Sequence, residues 1–338
     1  MSNNSEEAEM KKFVSSSSVL VLGILAAVFL AACGGGDGGG GTPSLSYTGS
    51  TTQAAITNTN AETLLKGAYE GGEETSFVIT MGTDTSSPGG YSLPLELVRK
   101  LTGDVADVAG GTVGTLSTPI SDSSNGSCGG TMTESGSMND AGTSASGTIT
   151  YSNYCEDDGT YQTTMNGSVS FSMEVDDPVT PTSMSMTMNT SSLKVTVKEG
   201  DAVVSSDTMG GSVSATINFD TFDIAATMNA VLRDDGTGKT YKVENYSMDM
   251  TDDGFGTTTV TVTGRYYDYD YGYVDVSAPS LVVISDIPTS GQLTITGAVT
   301  VTDNSNSKAM IDFGLTDNNL LVDADGNGTY EISKTITW

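Results

Sequence analysis

From about Met132 onward the chain alternates apolar and polar residues with a period of two. Val169, Phe171, Met173 and Val175 interleave with Ser168, Ser170, Ser172 and Glu174. Met184, Met186 and Met188 interleave with serine and threonine, as do Leu193, Val195 and Val197. Further runs in steps of two cover Val213 to Phe219, Phe222 to Leu232, Val260 with Val262, and Leu293 to Val301. The last run is Tyr330, Ile332, Ile336 and Trp338, with Lys334 intruding. Successive side chains of a strand point to opposite faces, so this pattern predicts antiparallel strands with one buried face. Asp158-Gly159, Asp235-Gly236, Asp253-Gly254 and Asp325-Gly326 punctuate the runs. Asp-Gly is a hairpin signal because glycine takes positive φ at no steric cost. The expected fold is mainly β: a large antiparallel meander of a dozen or more strands. At that size the sheet must curl, close barrel-like or split into a sandwich.

Two short N-terminal helices are expected ahead of the strands. Asn60 can cap a helix from Ala61 to Tyr69, with Glu62 near its positive end and Leu64, Leu65 and Ala68 on one face. Leu93, Leu97 and Leu101 recur four residues apart, with Val98 beside them and Gly103 placed to end the turn. From Gly110 to about Ser127 the chain is rich in Gly, Ser and Thr and shows little pattern. Residues 51–338 thus read as one β-rich domain, helical over about 51–110.

The N-terminus is of another kind. Lys11 and Lys12 precede an apolar stretch from Val19 to Leu30, then Leu30-Ala31-Ala32-Cys33 and a run of glycines. The stretch is shorter than the ~20 residues of a membrane span and has the profile of a secretory signal. Leu30-Ala31-Ala32-Cys33 resembles the lipobox of bacterial lipoproteins. The resemblance implies cleavage after residue 32, acylation of Cys33 on sulfur and on its new amino group, and a membrane as partner through those chains. Two or more acyl chains hold stably where one holds weakly. Gly34 stands where an Asp commonly retains such proteins in the inner membrane, so the resemblance implies the outer membrane, with the domain periplasmic or surface-exposed. Glu6, Glu7 and Glu9 are foreign to a positive n-region, and translation is expected to start at Met10. Residues 33–50, glycine-rich with Asp37 and Pro43, read as a tether spanning on the order of 20 Å r.m.s.. Ala54-Ala55-Ile56-Thr57 with Asn60, Ala61 and Leu64, and Val322-Asp323-Ala324-Asp325-Gly326-Asn327-Gly328-Thr329-Tyr330-Glu331, resemble segments of uncharacterised β-rich Gram-negative lipoproteins. That resemblance brings no activity with it.

Composition narrows the chemistry. The chain carries 42 acidic against 13 basic residues, a net charge of −29. Removing residues 1–32 takes Lys11, Lys12, Glu6, Glu7 and Glu9 with it, and the body stays strongly acidic. Such a charge argues against nucleic acid and against docking on anionic lipid. There is no histidine. Ser-His-Asp and Cys-His catalysis, histidine metal sites and the commonest general base are therefore excluded. Beyond Cys33 only Cys128 and Cys155 remain, in an oxidising compartment if the chain is exported. The turn signal Asn139-Asp140-Ala141-Gly142 lies midway between them, so a hairpin centred there sets the two directly opposite and predicts a disulfide.

Five patterns are candidate sites. Asp323, Asp325, Asn327, Thr329 and Glu331 alternate as in the calcium loop of EF-hands, with Gly328 at the sharp turn. Lys334 replaces the bidentate Glu, the flanks are strands, and a decorated β-turn is the simpler account. Tyr267, Tyr269, Tyr271 and Tyr273 alternate with Asp268 and Asp270; on one exposed face they could stack on a ligand, and buried they are core. Met165, Met173, Met184, Met186, Met188, Met228, Met248 and Met250 could bind Cu(I) or an apolar ligand, but their strand positions favour core filling. Gly236-Thr237-Gly238-Lys239-Thr240 resembles the end of a phosphate loop, but Arg233 stands where a Gly is required and strand follows where helix is required. A final aromatic on the last strand suits an outer-membrane barrel, yet aromatics make up only 7% of the chain, too few for two girdles. The expectation is a lipid-anchored envelope lipoprotein with a non-enzymatic structural or interaction role and no cofactor other than a candidate Ca²⁺. A lipid- or glycan-binding module on a curved sheet is the alternative, and a carboxylate-dependent hydrolase ranks below it.

Overall fold

The computed structural model describes residues 45–73 and 120–336, apart from 140, 142, 178–181, 222, 253–256, 285–286 and 303. Its strands are β1 (Ile120–Asn125), β2 (Gly129–Met138), β3 (Ser144–Asp157), β4 (Tyr161–Val175), β5 (Ser183–Glu199), β6 (Ala202–Asn218) and β7 (Ile224–Asp234). They continue as β8 (Thr240–Asp252), β9 (Thr257–Asp268), β10 (Gly272–Ile284), β11 (Ile287–Val299), β12 (Asn306–Phe313), β13 (Asn318–Asp323) and β14 (Ile332–Ile336). All fourteen form one antiparallel sheet in strict chain order, and the edges β1 and β14 do not pair with each other. The meander is therefore a single open sheet, neither a sandwich nor a closed barrel. Among the described residues there is one helix, α1 (Ala61–Glu73). The second expected helix, around Leu93 to Leu101, lies outside the described residues.

The alternation in sequence becomes an inner and an outer face. On β4, Val169, Phe171 and Met173 are buried, while Ser170, Ser172 and Glu174 are exposed. The inner face holds two apolar clusters. One, on β2–β7, gathers Met165, Phe171, Met186 and Leu193 among others. The other, on β7–β14, includes Ile56 and the buried side of α1. An outer-membrane barrel turns its apolar face outward to lipid; here that face is the inward one.

α1 forms as its sequence predicts, but Asn60 does not cap it in the expected way. The Asn60 side chain reaches backward, accepting from the Thr57 N–H (2.8 Å) and donating to the Ala55 carbonyl (3.0 Å). The turn before the helix, rather than its first free N–H groups, is what Asn60 fixes. Ala61, Leu64, Leu65 and Ala68 are fully buried against the inner face, each leucine worth about 1.5–3 kcal/mol. The Tyr246 hydroxyl donates to the Ala68 carbonyl (2.8 Å) and locks the helix to β8.

Residues 45–50, expected as the end of the tether, are docked instead. Tyr47 sets its ring edge-on to Tyr267, centroids 5.4 Å apart. Its hydroxyl donates to the Asp268 carbonyl (2.7 Å). The Thr48 N–H donates to the Thr240 hydroxyl (2.9 Å) on the same outer side. The strap then enters the sheet edge-on. Tyr273 N–H donates to Thr52, Ala54 N–H to Tyr273, and Ala298 N–H to Ala54 (2.9, 2.8 and 2.7 Å). Three residues are thus wedged between the start of β10 and the end of β11, leading the chain inward to Ile56 and α1.

Bulges curl the sheet. Extra residues interrupt β3 between Tyr151 and Tyr154, β5 between Thr190 and Leu193, β8 between Glu244 and Ser247, and β10 between Ala278 and Leu281. Asn153 and Asn245 take positive φ (50° and 48°) inside two of them, a conformation Asn tolerates better than most residues. A bulge bends its strand and sharpens the local twist. The neighbouring strand must then come close without a side chain. Gly167 (φ 137°) faces the β5 bulge, where a Cβ would press on the Ser192 carbonyl and lie 3.0 Å from Leu193 Cα. Gly264 (φ 152°) faces the β8 bulge, where a Cβ would lie 2.6 Å from Tyr246 Cα.

Strands also begin earlier than the alternation suggested. β1 lies in the Ser-rich stretch before Met132, whose sequence ISDSSN shows no apolar period. It is an edge strand paired to β2, and its Ser123, Ser124 and Asn125 are exposed.

Candidate functional site

The acidic loop forms the β13–β14 turn, and the carboxylates of Asp323, Asp325 and Glu331 come together, their nearest oxygens all within 4.8 Å of one another. Asp323 is buried, and its two oxygens accept the N–H groups of Gly326 (2.8 Å), Asn327 (3.1 Å) and Gly328 (2.9 Å). Glu331 accepts from the Ala324 N–H (2.7 Å). Asn327 accepts from the Thr329 N–H (2.7 Å) and donates to Asp325 (3.0 Å). The carboxylates therefore organise the turn through backbone donors. Their remaining lone pairs suit a hard cation, which prefers oxygen ligands. Lys334 points elsewhere, to Glu62 at the start of α1 (2.8 Å).

The tyrosines do not form a row on one face. Tyr267 is the last residue but one of β9 and Tyr273 the second of β10; the two face each other across the hairpin, centroids 5.3 Å apart. Tyr269 and Tyr271 lie in the turn between them, so the period of two breaks there. Asp268 causes the break: its carboxylate accepts the N–H groups of Asp270 (2.9 Å) and Tyr271 (3.1 Å) and closes the turn. The paired rings are already covered. Lys242 Nζ stands 4.6 Å over Tyr267 and the Arg265 guanidinium 4.0 Å over Tyr273. The cations are held in turn by Glu244 (2.6 Å from Lys242) and Asp275 (2.8 Å from Arg265). Hydrogen bonds from Lys242 and then Tyr267 hold the Glu244 carboxyl below its usual range. Tyr267 and Tyr273 thus build a cation–π lattice and have no ring face ready for a sugar; Tyr271 is the exposed member.

The methionines named above are buried on the inner face, none more than 9% exposed. Met173 pairs across strands with Met186 and Phe171 with Met188. A cavity of about 20 Å³ lies among Val169, Met188, Thr190, Met209, Val213 and Ala230, room for one water. Gly236 to Lys239 lie in the β7–β8 turn and Thr240 opens β8; the N–H groups of Gly236 and Thr237 are taken by the Asp234 carboxylate (2.7 and 3.3 Å). Strand β8 follows, as expected.

Register reveals a pair that one-dimensional inspection missed. Asp207 and Asp234 lie directly opposite each other on β6 and β7. Burial, and then the charges of Asp234 and Asp235, push the Asp207 carboxyl up to about 6, with Lys194 opposing. Burial also works against the Asp235 charge, but hydrogen bonds from Lys194 (2.7 Å), Arg233 (2.7 Å) and Thr208 outweigh it and keep its pKa low. Asp207 and Asp234 are cross-strand neighbours on one sheet, not acids facing each other across a cleft as glycoside hydrolysis uses them.

The disulfide forms between Cys128 and Cys155, Cα atoms 5.1 Å apart. The hairpin centre is where the sequence placed it, with Met138 opposite Ala145. An irregularity between Gly129 and Thr131 shifts the register, so Cys155 faces Gly129. Cys128 sits in the β1–β2 turn and donates its N–H to the Cys155 carbonyl (3.1 Å). Cys33 and the signal region lie outside the described residues. No family model, curated protein or solved structure matches the chain.

Proposed function

We propose that this chain is a lipid-anchored cell-envelope lipoprotein, held at the outer membrane by acyl chains on Cys33, whose β domain has a structural or interaction role without enzymatic activity. One observation carries the reading: Leu30-Ala31-Ala32-Cys33 precedes a β body whose described inner-face residues pack into two apolar clusters. A lipid carrier needs an apolar cavity of several hundred Å³; among the described residues, the cavity beside Met188 and Met209 holds about 20 Å³. A hydrolase needs a general acid and base aimed at one substrate. The carboxylates of Asp323, Asp234 and Asp235 serve turns and ion pairs, Asp207 stands beside Asp234 on one sheet rather than across a cleft from it, and the chain has no histidine to add to them. Fractionation tests the anchor. Wild-type protein partitions with membranes and Cys33→Ser moves to the soluble fraction; unchanged partition of the variant overturns the reading. Protease added to intact cells then separates a surface-exposed domain from a periplasmic one.

A further inference from the structure

The strap of residues 45–56 is held mainly by its backbone. Before Ala54 none of its residues is buried, and Ser46, Thr48, Thr51 and Thr52 are exposed. A segment docked only to add stability would bury apolar side chains, since apolar area is what burial rewards. Here the main chain is tied to one strand after another. Leu45 donates its N–H to the Ser191 carbonyl on β5 (3.2 Å), and Ser50 to the Tyr269 carbonyl in the β9–β10 turn (3.1 Å). The bonds of Thr52 and Ala54 to Tyr273 and Ala298 then fill the seam between β10 and β11. Past the seam, the Ile56 N–H donates to the Ser307 hydroxyl on β12 (3.1 Å), which donates in turn to the Ala298 carbonyl (2.8 Å). The sheet is shaped for this passage on both sides. A Cβ on Gly272 (φ 96°) would press on the Thr52 carbonyl. A Cβ on Gly297 would press on the Ala54 carbonyl and lie 2.7 Å from Ile56 Cγ1.

We infer that the strap is a load-bearing latch: it takes tension arriving from the N-terminal side into the β10–β11 seam and keeps it off the apolar core. Direction carries the argument. Gln53 bridges Tyr273 in parallel, so the strap enters the seam along the strand axis. A pull toward residue 45 slides it lengthwise past its neighbours. The bonds at Tyr273 on one side and Ala298 on the other must then fail together rather than in turn. Hydrogen bonds weaken steeply once bent out of line, so a seam bonded on both sides resists sliding until the whole contact gives way. Without the seam, the same pull would fall on the turn that Asn60 fixes and then on α1. It would draw Ala61, Leu64 and Leu65 off the inner face from the helix N-terminus onward. Only residues 34–44 separate Cys33 from the strap, a reach of at most about 40 Å at ~3.6 Å per residue. Any partner that draws the domain beyond that reach puts the strap under tension. For the source of the load this inference rests on the anchor proposed above; the latch itself does not.

Optical tweezers test it on the unacylated mature chain carrying Leu315→Cys, an exposed position in the β12–β13 turn. One handle is attached there and the other at Cys33; Cys128 and Cys155 are paired and take none. In a comparison chain, Cys33→Ser with Ala55→Cys moves the N-terminal handle past the seam to another exposed position. The mean rupture force from the Cys33 handle is expected to be at least twice that from residue 55. Ala54→Pro removes the N–H given to Tyr273, and Gly297→Ala crowds the seam from the sheet side. Each is expected to lower the Cys33 value to that of residue 55. Circular dichroism and melting temperature establish that the variants are folded. If a seam variant does not fold, the comparison of the two handles still decides, because it leaves the seam intact. Equal rupture forces from the two handles, or folded seam variants that keep the Cys33 value, overturn the inference. The handles need no acyl chain, so an unmodified Cys33 in the native protein would remove the membrane as the source of load without touching the latch.

Discussion

Gly167→Ala tests how the sheet is curled. The residue sits at φ 137°, facing the β5 bulge. An L-residue held there is strained by about 1–3 kcal/mol. The new methyl would also lie 3.0 Å from Leu193 Cα and press on the Ser192 carbonyl. Both are backbone atoms, so relief requires moving the bulge itself, and a total of about 3–5 kcal/mol follows from strain plus overpacking. Gly159→Ala is the matched control. Gly159 has φ 92° in the β3–β4 turn, with nothing near where its Cβ would stand. It incurs the dihedral strain alone, about 1–2 kcal/mol. Urea denaturation of both variants and the wild type, at constant m, measures the difference. If Gly167→Ala costs no more than Gly159→Ala, close approach of glycines to the bulges is not what the fold requires.

Three further outcomes follow from particular contacts. The folded pKa of Asp207, about 6, lies above the ordinary 3.8, so the folded state binds its proton more tightly and stability from this group rises as pH falls from above 6 toward 4. Asp207→Asn should therefore stabilise by about 1–2 kcal/mol at pH 8 after allowance for solvent screening, and by almost nothing at pH 4; a pH-independent difference in denaturation midpoints would contradict this. The double variant Cys128→Ser, Cys155→Ser releases a constraint spanning 27 residues, worth about 3.5 kcal/mol in the chain-entropy model, and an unchanged melting curve would contradict it. Asp323→Ala removes the acceptor for three N–H groups of the β13–β14 turn and should cost about 3–5 kcal/mol with or without Ca²⁺. Calorimetric titration of the wild type with Ca²⁺ separates the turn from a cation site: no heat and an unmoved melting temperature leave Asp323, Asp325 and Glu331 with the turn alone.

What the sequence makes legible is what repeats within one strand. The runs of β4 to β7 and the Asp-Gly turns after β3, β7 and β13 stand where the period of two puts them, because one buried face enforces that period. The Cys128–Cys155 pairing is legible for a related reason: a hairpin fixes its register by its centre, and Asn139 to Gly142 mark that centre. β1 is not legible, since ISDSSN carries no apolar period and the strand is placed by its backbone pairing with β2. The tyrosine run misleads because Asp268, read as an ordinary strand position, closes a turn with its carboxylate. The facing of Asp207 and Asp234 depends on the register between strands. Bulges at Asn153 and Asn245 shift that register by one, and no single-strand pattern announces them.

The anchor on Cys33 remains the central claim, and mass spectrometry of the purified mature protein tests it most directly. The account predicts an N-terminal peptide that begins at Cys33 and carries the mass of a diacylglyceryl group with or without a third acyl chain, and its disappearance in Cys33→Ser. An N-terminal peptide that begins elsewhere, or an unmodified Cys33, would contradict it.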